Sequence, residues 1–365
     1  MRIALVVPGG VDRSGEYRVI PALLALIERL SHHHDVQVIA LTQEPEAADW
    51  HLAGAHIHNI GVRRTGLRAL LTIYKMHRRS PFDLVQAIWC GPCGLAAAIM
   101  GKVLGIPSLI HVAGGELVSM PDIGYGGAQT RKGGLREALV LRQVSAVTAA
   151  STPIIDALAK LGIAAHRIPL GVDLVSWPPR QPVRRDADRP ARLIHVASLN
   201  RVKDQSTLLR ALAALMKSGT RFRMNIVGED TLHGEIQALC EELGLSDVVQ
   251  FHGFLTQRQL RPLVEAADLL VLSSRHEAGP LVALEAAVAG VPTVGTQVGH
   301  ITEWTPFAAE SVAVGDWAGL ATAIRRVLED DDLRMSMAHE AFRRAMREDA
   351  DCTAQRFHSL YAQLI

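Results

Sequence analysis

Short runs rich in Val, Ile and Leu alternate with segments of helical period along this chain, and the whole series occurs twice. Strands that are apolar on both faces and separated by helices suit a parallel sheet covered on both sides. In the first series the spacing predicts strands at residues 2–7, 36–41, 56–60, 84–88, 108–111 and 146–149. Helices are expected between most of them, over about 16–31, 67–79, 95–104, 135–143 and 152–161. Residues 177–190 then hold four prolines, many charges and no periodicity, as a linker would. The second series predicts strands at 193–197, 224–227, 248–251, 269–272, 293–295 and 311–314. The expected fold class is α/β: two tandem doubly wound, Rossmann-like domains over 1–172 and 191–350, joined by a linker at 173–190. An interdomain cleft is expected at the carboxyl ends of their strands.

Apolar residues make up 48% of the 365, enough to fill two cores. The 38 basic and 37 acidic side chains leave a net charge of +1, and aromatics are only 4%, so neither a basic field nor a stacking platform points to nucleic acid. Four cysteines make no disulfide framework. The apolar run before Pro8 is too short for a signal peptide. The stretch 84–106 is broken by Gln86, four glycines, Pro92 and Lys102, so no span is expected and the location expected is cytoplasmic.

Charge is unevenly divided: residues 1–170 carry 17 basic against 12 acidic side chains, the remainder 21 against 25. One helix bears Arg64, Arg68, Lys75 and Arg79 on one face and Leu67, Leu70, Leu71 and Tyr74 on the other. Docking of its apolar face on the sheet is one reading. Peripheral contact with an anionic membrane or a lipid-linked ligand, at the inner membrane face, is the other.

The most informative stretch is SSRHEAGPLVALEAAVAGVPTVGTQVGH, residues 273–300. Pro280 suits the first position of a helix, Gly290 suits its end, and Pro292 bars its continuation. Glu277 then lies in the loop at a strand's carboxyl end, and Glu285 about one and a half turns into the helix. The helix start, with Gly279, Pro280, Leu281 and Val282, offers amides and a positive dipole end to an anion. A diphosphate suits it, with the two carboxylates available to hydroxyls of a sugar and a ribose.

Glu, seven residues, Glu, then small residues, Gly, a variable residue and Pro resembles the signature of retaining glycosyltransferases of family 4, with the GT-B fold. IPLGVDLVSWPP (168–179), HVASLNRVKD (195–204), NIVGED (225–230) and VVQFHGF (248–254) resemble further segments of that family in the same order. The resemblance implies hexosyl transfer from a nucleotide-diphospho-sugar to a glycan or lipid-linked acceptor, with retention, without a metal or other cofactor, in cell-surface polysaccharide synthesis. It implies that Lys203 holds the donor diphosphate, Glu285 the ribose, and Glu277 the sugar near the reacting carbon. It also implies that a last helix within 351–365 crosses back onto the first domain, and that Gly9, Gly10 and Gly15 form the phosphate and acceptor loop. Gly228 falls in the segment matching the family's IVGEGP.

Four departures stand out. Ser198 occupies the position of the family's loop arginine, with Arg201 as a shifted substitute. Pro280 has no amide to donate, so an anion must use Leu281 and Val282. Ala113 stands where the family has histidine in the loop of Gly114, Gly115 and Glu116, and His111 on the same strand face could partly replace it. Leu170 stands for the usual Asn. A catalytically inactive nucleotide-sugar-binding scaffold is therefore a second reading.

WCGPC, residues 89–93, matches the thioredoxin active-site string, so thiol–disulfide chemistry through Cys90 and Cys93 is a third. Histidines 32–34 fall at a helix end, where they would fan out rather than converge on a metal. The acidic run 329–332 reads as a solvated turn between helices.

Overall fold

The computed structural model describes residues 1–365 apart from the side chains of Arg131 and Lys132. The chain divides into two units, Met1–Asp173 with Glu348–Ile365, and Leu174–Arg347.

The first unit contains β1 (Arg2–Val7), α1 (Pro21–Ser31), β2 (Asp35–Ala40), β3 (Ala48–Leu52), β4 (Ala55–Asn59), α2 (Thr65–Arg79), β5 (Leu84–Ile88), α3 (Gly91–Leu104), β6 (Ser108–Val112), α4 (Arg131–Leu141), β7 (Ala146–Ala149), α5 (Thr152–Lys160) and β8 (His166–Arg167). Its sheet runs β3-β4-β2-β1-β5-β6-β7-β8, parallel except for the β3–β4 pair. β1 and β6 are buried from end to end apart from Arg2, because helices cover both faces.

Several elements depart from the sequence expectation. α1 begins at Pro21, not near residue 16: the residues before it form a loop closed by a Val11–Val19 bridge and by Ile20 N–H donating to Gly10 C=O at 3.0 Å. β3 was not expected because Asp49 and His51 alternate with apolar residues and hide the strand, and β8 has only two residues. α2 buries Ala69 and Ile73, leaving Leu67, Leu71 and Tyr74 exposed, so the apolar stripe expected to dock on the sheet faces outward.

The second unit contains β9 (Ala191–Val196), α6 (Gln205–Lys217), β10 (Phe222–Val227), α7 (Glu235–Glu242), β11 (Val249–Phe251), α8 (Gln257–Glu265), β12 (Leu269–Leu272), α9 (Leu281–Val288), β13 (Thr293–Thr296), α10 (Gly299–Trp304), β14 (Ala309–Val312), α11 (Trp317–Glu329) and α12 (Asp331–Arg347). All six strands are parallel, in the order β11-β10-β9-β12-β13-β14. Numbered within the unit this is 3-2-1-4-5-6, the doubly wound order, with its reversal between β9 and β12. β14 lies two residues earlier than the spacing predicts.

The expected linker is no slack tether. Trp177 is buried and donates Nε1–H to Gln257 Oε1 at 2.7 Å, and Arg189 forms two 2.7 Å bonds to Asp268. The acidic run 329–332 is not an open turn either: Glu329 ends α11 and Asp331 begins α12, where acidic groups favour a helix start. Arg184 pairs with Asp331 and Asp332 there.

α13 (Ala350–Leu364) belongs to the first unit. Phe357 and Tyr361 are fully buried on it, and Tyr361 donates its hydroxyl proton to Gln86 in the middle of β5. Gly171 runs so close to the Glu348–Asp349 backbone that a Cβ would come within 2.2 Å of it.

Candidate active site

In a doubly wound sheet, the loops leaving the two strands at the order reversal diverge and open a crevice at their carboxyl ends. In the second unit these are the loops after β9 and β12, and they carry Lys203 and Glu277. Lys203 Nζ donates to Glu277 Oε1 at 2.6 Å, and Ser274 Oγ donates to the same oxygen at 2.6 Å. Two further bonds stitch the loops together: Ser273 Oγ–H to Lys203 C=O at 2.9 Å and Arg275 N–H to Val202 C=O at 2.7 Å.

Each loop is rigid for local reasons. Asp204, at φ 48°, caps α6 by accepting from Thr207, and Asn200 Oδ1 accepts the Lys203 N–H at 3.1 Å. Below them His195 is buried on β9. Its Nδ1–H donates to Val271 C=O of β12 at 2.8 Å, and its Nε2 accepts from the Gln205 amide at 3.2 Å. Burial lowers the His195 pKa to about 4, so the ring is a neutral brace between the two strands. On the far side, Thr296 Oγ1–H donates to Ser274 C=O at 2.5 Å. Gly299, at φ 47°, approaches Pro280 and the Glu277 carbonyl too closely to admit a side chain without movement. Nothing local in the sequence marks Asn200, Ser273 and Ser274 in the loops, or Gln205 and Gly299 at the starts of α6 and α10, because such single positions carry no periodic signal.

α9 starts one residue later than expected, with Pro280 as N-cap and Leu281 first; Gly290 follows its end at φ 77°. The Leu281 and Val282 amides therefore open the helix beside Gly279, and both residues are partly accessible. Glu285 lies in the second turn, 3% exposed. Burial pushes its carboxyl up to about 7, opposed by a hydrogen bond from Gln257, the residue that also holds Trp177.

Not every expected residue joins this group. Arg201 is exposed and forms two bonds to Glu235 on α7, at 2.8 and 3.0 Å, rather than joining Glu277. Ser198 is exposed, its carbonyl accepting from Gln205 at 3.1 Å. Gly228, at φ 152°, brings the end of β10 against β9: a Cβ there would lie 1.9 Å from Ala197 O.

In the first unit the order reverses between β1 and β5. Gly9, Gly10 and Gly15 lie in the loop after β1. Gly9 packs against Gln43, whose Oε1 accepts the Val11 N–H at 3.0 Å, while Gly10 and Gly15 take φ 81° and 69°. His111 does not reach a loop. It is fully buried on β6, its Nδ1 bonded to Thr148 Oγ1 at 2.9 Å and its ring edge-on to Phe357, and burial lowers its pKa to about 3. It cannot stand in for the family's loop histidine.

Glu116 is also buried. Its carboxylate accepts the N–H groups of Cys90, Ala113 and Gly114, so it shapes the ends of β5 and β6 from within. Gly114 and Gly115 fit closely against Trp89 and the Tyr125 ring.

The redox reading fails on electrostatics. Cys90 and Cys93 are free and buried at the start of α3. Burial raises both thiols, Cys93 to about 12, and Glu137 and Glu116 raise Cys90 further. A thioredoxin-type nucleophile needs the opposite shift.

Residues 19–171 match the family described as Glycosyl transferase 4-like domain, and residues 180–344 that described as Glycosyl transferases group 1. The chain is 30% identical over 221 residues to a D-inositol 3-phosphate glycosyltransferase of Corynebacterium jeikeium, a match covering 54% of this chain and 51% of that one. It spans about half the length of the curated relatives it first matches. In fold it superposes on sucrose-phosphate synthase from Thermosynechococcus elongatus with a TM-score of 0.80, at 19% identity over 100% of this chain and 99% of that one. Anabaena HepE in complex with UDP-glucose gives 0.75, at 19% identity over 100% of both. With two Rossmann-like units of this order and both family matches in register with them, the chain belongs to the group 1 glycosyl transferases of GT-B fold.

Proposed function

We propose that this protein is a retaining hexosyltransferase whose second unit binds a nucleotide-diphospho-sugar, the first unit binding a glycan or lipid-linked acceptor for cell-surface polysaccharide. The observation carrying this reading is the Lys203–Glu277 pair beside the start of α9, at the order reversal of the second sheet. Lys203 and the Leu281 and Val282 amides meet the charge that develops on the leaving diphosphate, so the step needs no metal. Glu277 orients the sugar and Glu285 accepts the ribose hydroxyls. The acceptor hydroxyl attacks the anomeric carbon as the bond to the diphosphate breaks, and its proton passes to the departing phosphate oxygen on the same face. The UDP-glucose held by the HepE structure supports a donor of this class.

Thermal shift across nucleotide-sugars, followed by donor-consumption assays, tests the proposal. One donor should raise the melting temperature in the wild type and fail to do so in Lys203→Ala, since a bound ligand stabilises by mass action. No shift with any nucleoside diphosphate or its sugar would overturn the donor site. The pairing of Arg201 with Glu235 favours the scaffold as second reading: it predicts the same shift with no turnover on any acceptor.

The acceptor side is proposed to lie against the inner membrane face through α2. Leu67, Leu71 and Tyr74 are exposed there among Arg63, Arg64, Arg68, Lys75, Arg78 and Arg79, and no acidic residue occurs between Asp49 and Asp83.

A further inference from the structure

The outermost hairpin of the first sheet carries an arrangement that the transferase reading does not use. β3 and β4 pair in the register Asp49↔His58 and His51↔His56, across a turn in which Ala53 and Gly54 take φ 50° and 76°. Alternation along each strand puts Trp50, Leu52, Ala55 and Ile57 toward the core and Asp49, His51, His56 and His58 together on the outer face. The His51 and His56 rings stack at 4.5 Å between centroids, and His56 and His58 lie at 4.2 Å. Asp49 Oδ1 is 2.5 Å from His58 Nδ1 and 4.0 Å from His56 Nε2, and one ligand atom from each of these three residues falls within 4.8 Å of the others.

The hydrogen bonds around His58 hold its ring as a metal ligand's ring would be held. The Gln37 amide donates to Asp35 Oδ1 at 2.6 Å, which turns its carbonyl oxygen toward His58 Nε2, at 2.9 Å. That oxygen can only accept, so His58 carries a proton on Nε2 and a neutral ring presents its Nδ1 lone pair to Asp49. Two acceptors would then face each other at 2.5 Å. A proton or a cation at Nδ1 relieves this, and His56, within reach of the same carboxylate, offers a cation a further ligand. Gln37 also does what an outer partner of a metal-bound imidazole does, fixing the tautomer through the other nitrogen.

We propose that the outer face of the β3–β4 hairpin binds one divalent ion of the zinc class through His56, His58 and Asp49, with His51 flanking them. Two imidazoles and a carboxylate suit such an ion better than magnesium or calcium, which prefer all-oxygen shells. Tetrahedral ligands at about 2.1 Å sit roughly 3.4 Å apart, so closing the site takes side-chain rotation that opens the 2.5 Å Asp49–His58 contact and shortens the 4.0 Å Asp49–His56 one. Bound there, the ion ties the edge strand β3 to β4. The site stands independently of the donor site and calls for no part in glycosyl transfer.

The test is titration of the tag-free, chelator-stripped full chain with ZnCl2 at pH 7.5 by calorimetry, with melting temperature read on the same samples. One equivalent should bind and raise the melting temperature. His56→Gln and His58→Gln should each weaken binding about tenfold or more, and Asp49→Asn should weaken it measurably. A His33→Ala/His358→Ala double variant, which removes the other histidine group near α1 and α13, should bind like the wild type. Cobalt absorption of the wild type supplies a check independent of any variant: a tetrahedral histidine-ligated spectrum is expected, and an aquo-ion spectrum at one equivalent counts against the site. Absence of stoichiometric binding, binding that survives loss of both His56 and His58, or binding lost only in the His33/His358 variant would overturn the proposal.

Discussion

Lys203 and Glu277, 74 residues apart in sequence, hold each other at 2.6 Å across the two loops that diverge from β9 and β12. The two side chains are mostly buried, 25% and 11% exposed, and the ammonium and carboxylate neutralise each other. A diphosphate would compete for the ammonium and free the carboxylate for a sugar hydroxyl. Lys203→Ala is expected to weaken donor binding about 10- to 100-fold, the scale of one lost charge-assisted hydrogen bond. Glu277→Ala is expected to lower kcat with a smaller change in donor affinity. Steady-state kinetics on both variants checks this, and equal losses of affinity would deny them separate roles.

Glu285 links stability to pH in a definite direction. Its folded pKa of about 7 lies above the ordinary 4.5, so the folded chain retains a proton between these values that the unfolded chain releases. Stability therefore falls as pH rises through that window, by about 3 kcal/mol once pH exceeds 7. Glu285→Gln removes this loss and should raise the melting temperature at pH 8, but not at pH 4.5. Ribose hydroxyls favour the ionised carboxyl, so donor affinity should climb with pH toward 7 in the wild type and stay low and flat in the variant. Matching affinity profiles would remove the ribose assignment.

Gly228→Ala should destabilise the second unit by about 2–4 kcal/mol, because the added methyl meets the Ala197 carbonyl and φ 152° disfavours any side chain. Chemical denaturation measures it; the control Gly219→Ala, where no atom lies within 4 Å of the added methyl, carries only the strain of its φ of 82° and should cost less.

Only Cys352, the one cysteine that is not buried, should react quickly with a thiol reagent in the native chain. Cys90, Cys93 and Cys240 are expected to react after unfolding. Fast modification of Cys90 or Cys93 would return the redox reading to consideration.

Vesicles with about a third anionic lipid should sediment the protein at low salt, and neutral vesicles should not. Replacing Leu67, Leu71 and Tyr74 together by Ser should abolish sedimentation without lowering the melting temperature, since all three are exposed. A fall in melting temperature would mean that these side chains support the fold instead.

The periodic apolar runs announced β1, β5 and β12 to the residue, since a fully buried parallel strand must be apolar on both faces. They missed β3, where every second side chain is Asp or His and faces outward. They also misread α2: both of its sides contain apolar residues, and nothing local says whether the small Ala69 or the large Leu67 turns inward. Closest approach favours the small one.

The Glu277–Glu285 spacing with its flanking prolines and glycines located the strand–loop–helix unit, because dihedral and capping demands act over a few residues. Whether a polar side chain is a ligand or a brace was decided only by packing. His111, expected to back the loop of Gly114 from its strand, is buried on β6 away from any loop; Glu116 is buried in the loop after β6 as an acceptor of backbone N–H groups, and Arg201 turns to Glu235. Lys203 meets Glu277 because the order reversal brings the ends of β9 and β12 side by side. Local chain chemistry determined the elements and their ends; burial and partner choice depend on residues far apart in sequence, and only the folded sheet brings those together.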